Sequence, residues 1–374
     1  MSLIRFDRGP LGNGTLFSEP LRLVRADTPA EVPGALAAIG EARDRGAWVA
    51  GCLSYELGYA LDPRLSGLLP EDRDMPLILM GIFDAPRPAL PLPDPGGAWI
   101  GPARPLWSRH RYDHAIAAVR DYIAAGDTYQ INLTFPTEAP CGGEPLALYA
   151  ALALRQPVGE GAFADLDGRP ILSRSPELFL AVDDRGRITT RPMKGTAARG
   201  ATPDADRAAA AELAASAKNR AENLMIVDLL RNDISRICRP GTVRVPHLFQ
   251  VESYATLHQM TSTVEGQLVD GTGFGDILRA LFPCGSITGA PKIRAMEIIA
   301  ELEQAPRGVY CGAIGWIDPA GPMRFSVAIR TPVMTAPGRL RLAVGGGITH
   351  DSRAGSEWEE AICKAAFLDL SPQA

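Results

Sequence analysis

Tyr129, Ile131, Leu133 and Phe135 alternate with Gln130, Asn132 and Thr134, a two-residue period that predicts a strand over 128–135. One face of that strand is apolar; the other carries amides and a hydroxyl and suits either solvent or the lining of a site. Just upstream, Ile116, Val119 and Ile123 recur at helical spacing, and Gly126 stands where a helix end needs a left-handed residue. Short apolar runs separated by turn residues predict strands at 162–165, 170–173, 178–182 and 187–190, with Asp167-Gly168 and 183–186 as the turns.

Thr202-Pro203 reads as a cap and first turn opening one long helix to about Ile237, where Pro240-Gly241 stops it. Strand patterns return at 243–245, 257–266, 309–317, 325–334 and 340–344. Helical patterns cover 274–281, 291–303 and 357–370. Residues 1–85 carry strand-like runs at 21–24 and 48–54 around a helical stretch at 31–45. The seven prolines between Pro86 and Pro105 predict an extended connector over 86–106. Strands in runs between separated helices define an α+β chain of antiparallel sheets, with the catalytic region expected over 107–371.

The 374 residues are 46% hydrophobic and 22% charged, with a net charge of −5, which argues against a nucleic-acid partner. The start lacks a signal-peptide pattern and no apolar run reaches 18 residues, so no membrane span and a cytoplasmic location are expected. Six cysteines are scattered without paired spacing and read as buried thiols.

Several residues could carry chemistry. Lys194 lies in Arg191-Pro192-Met193-Lys194-Gly195-Thr196, where Pro192 should end a strand and present the lysine as either a solvated loop charge or a nucleophile. Glu222 shares a helix face with Ile226 and Leu229, and a carboxylate there calls for a salt bridge or a metal ion. Glu357 and Glu360 share a face of the last helix; with Glu222 they would offer oxygen ligands suited to Mg2+. Ser356 and Glu359 read as a capping box, and Lys364 as an i,i+4 partner of Glu360. Gly345-Gly346-Gly347 and 284–292 read as anion cradles or as tight turns. Arg330 closes an apolar strand and suits a carboxylate. Glu177, if desolvated, suits a general acid, and His258 is either a satisfied core imidazole or a catalytic one.

Taken together, Tyr129 to Thr134, Ser175-Pro176-Glu177, Pro192 to Thr196, Glu222 to Met225, Gly285 to Lys292, Arg307 to Gly312, Gly345 to Gly347 and Glu357 to Lys364 resemble, in order, the chorismate-utilising enzymes. These include anthranilate synthase component I, isochorismate and salicylate synthases, and aminodeoxychorismate synthase component I. The resemblance implies a two-lobed α/β/β/α sandwich with the site between the lobes. It implies Mg2+ on Glu222 and Glu360 with Glu357 beside them, Glu177 as general acid, and a chorismate cradle of Gly195, Thr196, Tyr310, Arg330 and Gly345 to Gly347. His258, Thr288 and Lys364 fall at site positions.

Two positions discriminate among members. Gln130 stands where water-adding members have a lysine, and Lys194 stands where anthranilate synthases have alanine. The second is the aminodeoxychorismate synthase pattern and implies a covalent lysine adduct at C2, with ammonia entering at C4. With no Gly-x-Cys-x-Gly elbow in the sequence, a partner glutamine amidotransferase is expected to supply ammonia, and 4-amino-4-deoxychorismate is the expected product. Leu16-Phe17-Ser18 resembles the start of the family's tryptophan pocket.

Overall fold

In a computed structural model of the chain, residues 2–254 and 257–371 are described. Among them, two large antiparallel sheets organise everything else. The larger runs, from one edge to the other, through Gly289–Ala290, Gln130–Gly142, Arg339–Ile348, Val333–Ala336, Ile171–Ser175, Glu160–Asp165, Leu3–Gly9, Gly12–Ser18 and Arg87–Pro88. The other follows Met193–Ala198, Leu257–Gln267, Arg187–Arg191, Leu178–Val182, Met323–Val327, Ala313–Ile317, Trp48–Leu53, Ile78–Phe83 and Arg22–Ala26.

The α/β/β/α layering follows from strands that are apolar on both faces. In Trp48–Leu53, Val49 and Leu53 belong to the helix-covered core with Ile39, whereas Ala50 and Cys52 join Ile4, Phe6 and Phe17 of the other sheet. Successive side chains point to opposite faces, so a strand covered twice loses its polar alternation. Phe17 packs at 5.9 Å on Phe6, 6.0 Å on Trp48 and 5.3 Å on Phe83, an aromatic cluster between the sheets.

The first 85 residues enter both sheets: Leu3–Gly9 pairs with Glu160–Asp165, and Trp48–Leu53 pairs with Ala313–Ile317. The proline-rich stretch is pinned as well, since Trp99–Ile100 and Arg104–Pro105 pair with Gln130–Gly142.

Four expectations need correction. The long helix is two, Pro203–Ala215 and Ala217–Ser235, because Ser216 is extended (φ −62°, ψ 110°) and its hydroxyl caps the second helix by accepting from Asn219 N–H. The last helix begins at Ala354, a turn earlier than the capping-box reading, and Ser356 is inside it. The apolar run around Arg330 is broken: Met323–Val327 lies in one sheet and Val333–Ala336 in the other, with Arg330 at φ +49° in the crossover. Five cysteines are buried, but Cys363 is exposed. No helix of the described residues is long and apolar enough to cross a membrane.

Candidate active site

The three glycines of Gly345-Gly346-Gly347 are not a loop; they continue the strand Arg339–Ile348 and pair with Thr134, Leu133 and Asn132. A Cβ at Gly345 or Gly347 would collide with its surroundings, and one at Gly346 would reach ordinary contact. A Cβ at Gly347 would stand 2.5 Å from Gln130 Nε2 and 3.0 Å from Lys194 Nζ, and one at Gly346 would stand 3.4 Å from Glu357 Oε2 and 3.5 Å from Lys364 Nζ. The bare strand is therefore a floor on which Gln130 and Lys194 close at Gly347, while Glu357 and Lys364 reach it at Gly346, whose Cβ direction is to the opposite face.

Lys194 arrives from the edge strand Met193–Ala198 of the other sheet. Gly195 follows at φ +88°, a backbone state that glycine adopts without strain. Its carbonyl accepts from Gln259 Nε2 at 2.7 Å, which fixes the strand behind the lysine. Burial lowers the Lys194 pKa and the Lys364 ammonium lowers it further, while Glu222, Glu177 and Glu360 pull the other way. Glu177 is buried, and desolvation pushes its pKa up to about 7, against the Ser286 hydroxyl and the Lys194 charge. Its Oε1 has no hydrogen-bond partner among the described residues. Such an orphaned oxygen suits a group that a ligand completes.

The three glutamates come from two helices, Ala217–Ser235 and Ala354–Ala365. Burial raises the Glu222 pKa, and the charges of Glu357 and Glu360 add to it, so the carboxylates feel one another. Each also has a partner of its own. Lys218 stands 3.9 Å from Glu222, Ser352 Oγ donates to Glu357 at 2.7 Å, and Lys364 Nζ lies 2.8 Å from Glu360. Lys364 donates at 2.8 Å to the Gly345 carbonyl too, so it bridges helix and floor. The Glu360 side chain is 61% exposed; partial desolvation works to raise its pKa, yet Lys364, with Lys194 and Lys218, holds it below the usual carboxylate range. The donor set is hard carboxylate oxygen, the chemistry that suits Mg2+. No three acidic, His or Cys side chains are already gathered at ligating distance among the described residues.

Of the remaining site expectations, Arg330 is the most telling. Burial lowers its pKa, and among the described residues no carboxylate pairs with it. A desolvated, unpaired guanidinium is ready for an anion. Thr288 is buried and spends its hydroxyl on the Cys284 and Gly285 carbonyls, shaping its loop. Tyr310 is buried, which raises its pKa well above normal, and Thr196 Oγ1 donates to Gln259 Oε1 at 3.0 Å. His258 is buried and stands opposite Ala197 in the strand pairing. Its Nε2 is 2.9 Å from Asp206 and its Nδ1 is 2.9 Å from Ser253 Oγ, so both ring nitrogens are engaged on the helix-covered side.

The polar face of 130–134 proves to be buried rather than solvated. Gln130 is fully buried with neither amide atom partnered among the described residues, Asn132 Nδ2 donates to the Ile287 carbonyl, and Thr134 Oγ1 donates to Glu303. Sequence reasoning missed the support beneath it. Arg307 donates from its guanidinium to Glu303, to the Asn132 carbonyl at 2.7 Å and to the Ile287 carbonyl at 3.0 Å. Its backbone N–H, with that of Gly308, is taken by the buried Glu56, whose pKa burial pushes up to about 7. The signals for this cluster were Arg307, which opens one of the matched motifs, and Glu56, an acidic residue between Tyr55 and Leu57.

The sequence matches the chorismate binding enzyme family over residues 19–369, and the chain belongs to that family. It is 45% identical over 284 residues to an aminodeoxychorismate synthase of Streptomyces griseus, covering 76% of this chain and 39% of that protein. It is 45% identical to aminodeoxychorismate synthase component 1 of Salmonella typhimurium, covering 69% and 56%. It is 39% identical to anthranilate synthase component 1 of Pseudomonas putida, covering 83% and 60%. The chain thus spans only part of each of these relatives. Among solved structures, anthranilate synthase component I of Streptococcus pneumoniae superposes with a TM-score of 0.81 at 25% identity, covering 98% of this chain and 91% of that one.

Proposed function

We propose that this chain aminates chorismate at C4, using ammonia from a partner glutamine amidotransferase, to give 4-amino-4-deoxychorismate for cytoplasmic 4-aminobenzoate and folate synthesis. The observation that carries the reading is Lys194: an amine whose pKa is lowered by burial and by Lys364, beside a buried carboxyl, over a strand with no side chains. Relatives named aminodeoxychorismate synthase support it from outside.

In this reading Glu177 enters as the neutral acid, which its pKa of about 7 favours near neutrality. Neutral Lys194 forms a bond from Nζ to C2 of the ring while the C4–O bond breaks; the Glu177 proton goes to the departing oxygen, which leaves as water. Ammonia then bonds to C4 as the Nζ–C2 bond breaks and returns the electron pair to lysine. The ammonium so formed hands its extra proton to Glu177, which regenerates the acid. The net change is chorismate plus ammonia to aminated product plus water. Arg330 and the free edge of the glycine strand would orient the carboxylates. Glu222, Glu360 and Glu357 would hold Mg2+, which when bound would neutralise a substrate carboxylate.

The alternative, amination at C2 with pyruvate loss as in anthranilate synthase, is favoured by the Pseudomonas putida relative and disfavoured by Lys194 itself. The deciding experiment incubates the chain with chorismate, excess ammonium and Mg2+ and identifies the products. Fluorescent anthranilate with pyruvate overturns the proposal. A mass adduct on Lys194 trapped during turnover supports it.

A further inference from the structure

On the exposed side of the helix Arg109–Ala124, whose buried face packs through Tyr112 on Trp358 of the helix bearing Glu357 and Glu360, His110 and His114 occupy successive turns. Both are exposed. Their Nε2 atoms lie 3.1 Å apart, and the rings meet edge to face at 4.4 Å and 88°. At four residues' separation, side chains sit one above the other on a single helix face.

We propose that His110 and His114 form a bidentate site for a divalent transition-metal ion of the Ni2+, Cu2+ or Zn2+ class. Two imidazole nitrogens on one ion, each at about 2.0–2.1 Å and near a right angle, stand about 2.9 Å apart. The pair needs almost no rearrangement to reach that spacing. Imidazole selects these ions over Mg2+, which prefers carboxylate and water, so the site is chemically separate from the glutamate cluster. The surroundings permit the ion. The adjacent Asp113 is neutralised by Arg109 at 2.7 Å, so it does not compete for the imidazoles, and one turn on, Ala117 and Ala118 present only methyl groups. On binding, the hydrogen between the two Nε2 atoms moves to Nδ1 of its own ring, so that two neutral rings ligate through Nε2 with no net release of a proton, and water or a small ligand completes the coordination.

The test is calorimetric titration of the full chain with Ni2+ at pH 7.5, in excess Mg2+ to occupy carboxylates. A Cys363→Ser background removes the exposed thiol as a competing ligand. One equivalent should bind, and paramagnetic broadening should appear first on two histidine ring signals. His110→Ala and His114→Ala should each weaken binding by roughly tenfold or more, because the second imidazole closes the chelate intramolecularly. Binding should also fall away at pH 5, where imidazoles are protonated. Wild-type affinity in either single variant, undiminished binding at pH 5, or no Ni2+ uptake by the parent chain would each overturn the proposal.

Discussion

The guanidinium of Arg307 grips both carboxylate oxygens of Glu303, with Nε 2.8 Å from Oε2 and Nη2 2.7 Å from Oε1, in a pair almost wholly removed from water. Its remaining donors reach the carbonyls of Asn132 and Ile287. One side chain therefore ties the strand bearing Gln130 to the loop bearing Ser286 and Thr288. Arg307→Met leaves a buried, unpaired carboxylate, and we expect a loss of about 3–5 kcal/mol in urea unfolding. Arg307→Lys keeps the charge but not the fork, and it should fall between the two in stability and in turnover.

Gly347→Ala separates site geometry from folding. The new methyl meets Gln130 Nε2 and Lys194 Nζ, both ends of flexible side chains rather than backbone. The melting temperature should move little, by the equivalent of about 1 kcal/mol or less. Turnover with chorismate and ammonium should drop by tenfold or more, on the order of what a misplaced reacting group costs. A large stability loss with undiminished turnover contradicts the floor assigned to this strand.

Lys194→Ala should abolish C4 amination and the mass adduct while chorismate still binds, measured by titration in Mg2+. Full turnover in that variant would refute covalent catalysis.

For Glu177 the sign of the pH effect can be worked out. Its native pKa, about 7, lies above the ordinary 4.5, so the proton is held more tightly in the folded state. The stabilisation is complete below 4.5 and is lost as pH rises through about 7, amounting at most to roughly 3 kcal/mol. Glu177→Gln should remove that part of the pH dependence in denaturation curves. Turnover needs the acid form of Glu177 and the neutral form of Lys194, so the parent rate should fall on the alkaline side above about 7. The glutamine variant should lose about 10²–10⁴-fold in rate.

Glu360→Gln removes one carboxylate from the acidic set and the partner of Lys364. The expected outcome is a smaller rise in melting temperature on adding Mg2+, with a higher Mg2+ concentration for half-maximal rate. An unchanged Mg2+-induced shift would argue against Glu360 as a ligand.

The sequence alone determined the local elements and the residue types of the chemistry. Two-residue alternation marked 128–135, and Pro192 and Gly195 marked the bend that carries Lys194. Glutamates at three-residue spacing marked one face of the last helix. These features follow from backbone stereochemistry and side-chain period, which act over a few residues. What tertiary structure decided was which faces meet. Solvent and site are indistinguishable to an alternating strand, and only the packing of Arg307 and Glu303 beneath Asn132 and Thr134 assigned that face to the interior. Glycines 345 to 347 read equally as turn or cradle until strand pairing made them a floor. Arg330 read as a strand end until two sheets claimed the segments on either side of it. His258 kept two readings until Asp206, 52 residues away in the chain, took one nitrogen and Ser253 the other. Burial and electrostatic coupling depend on distance in space, and 170 residues separate the lysine at 194 from the one at 364 that helps to lower its pKa.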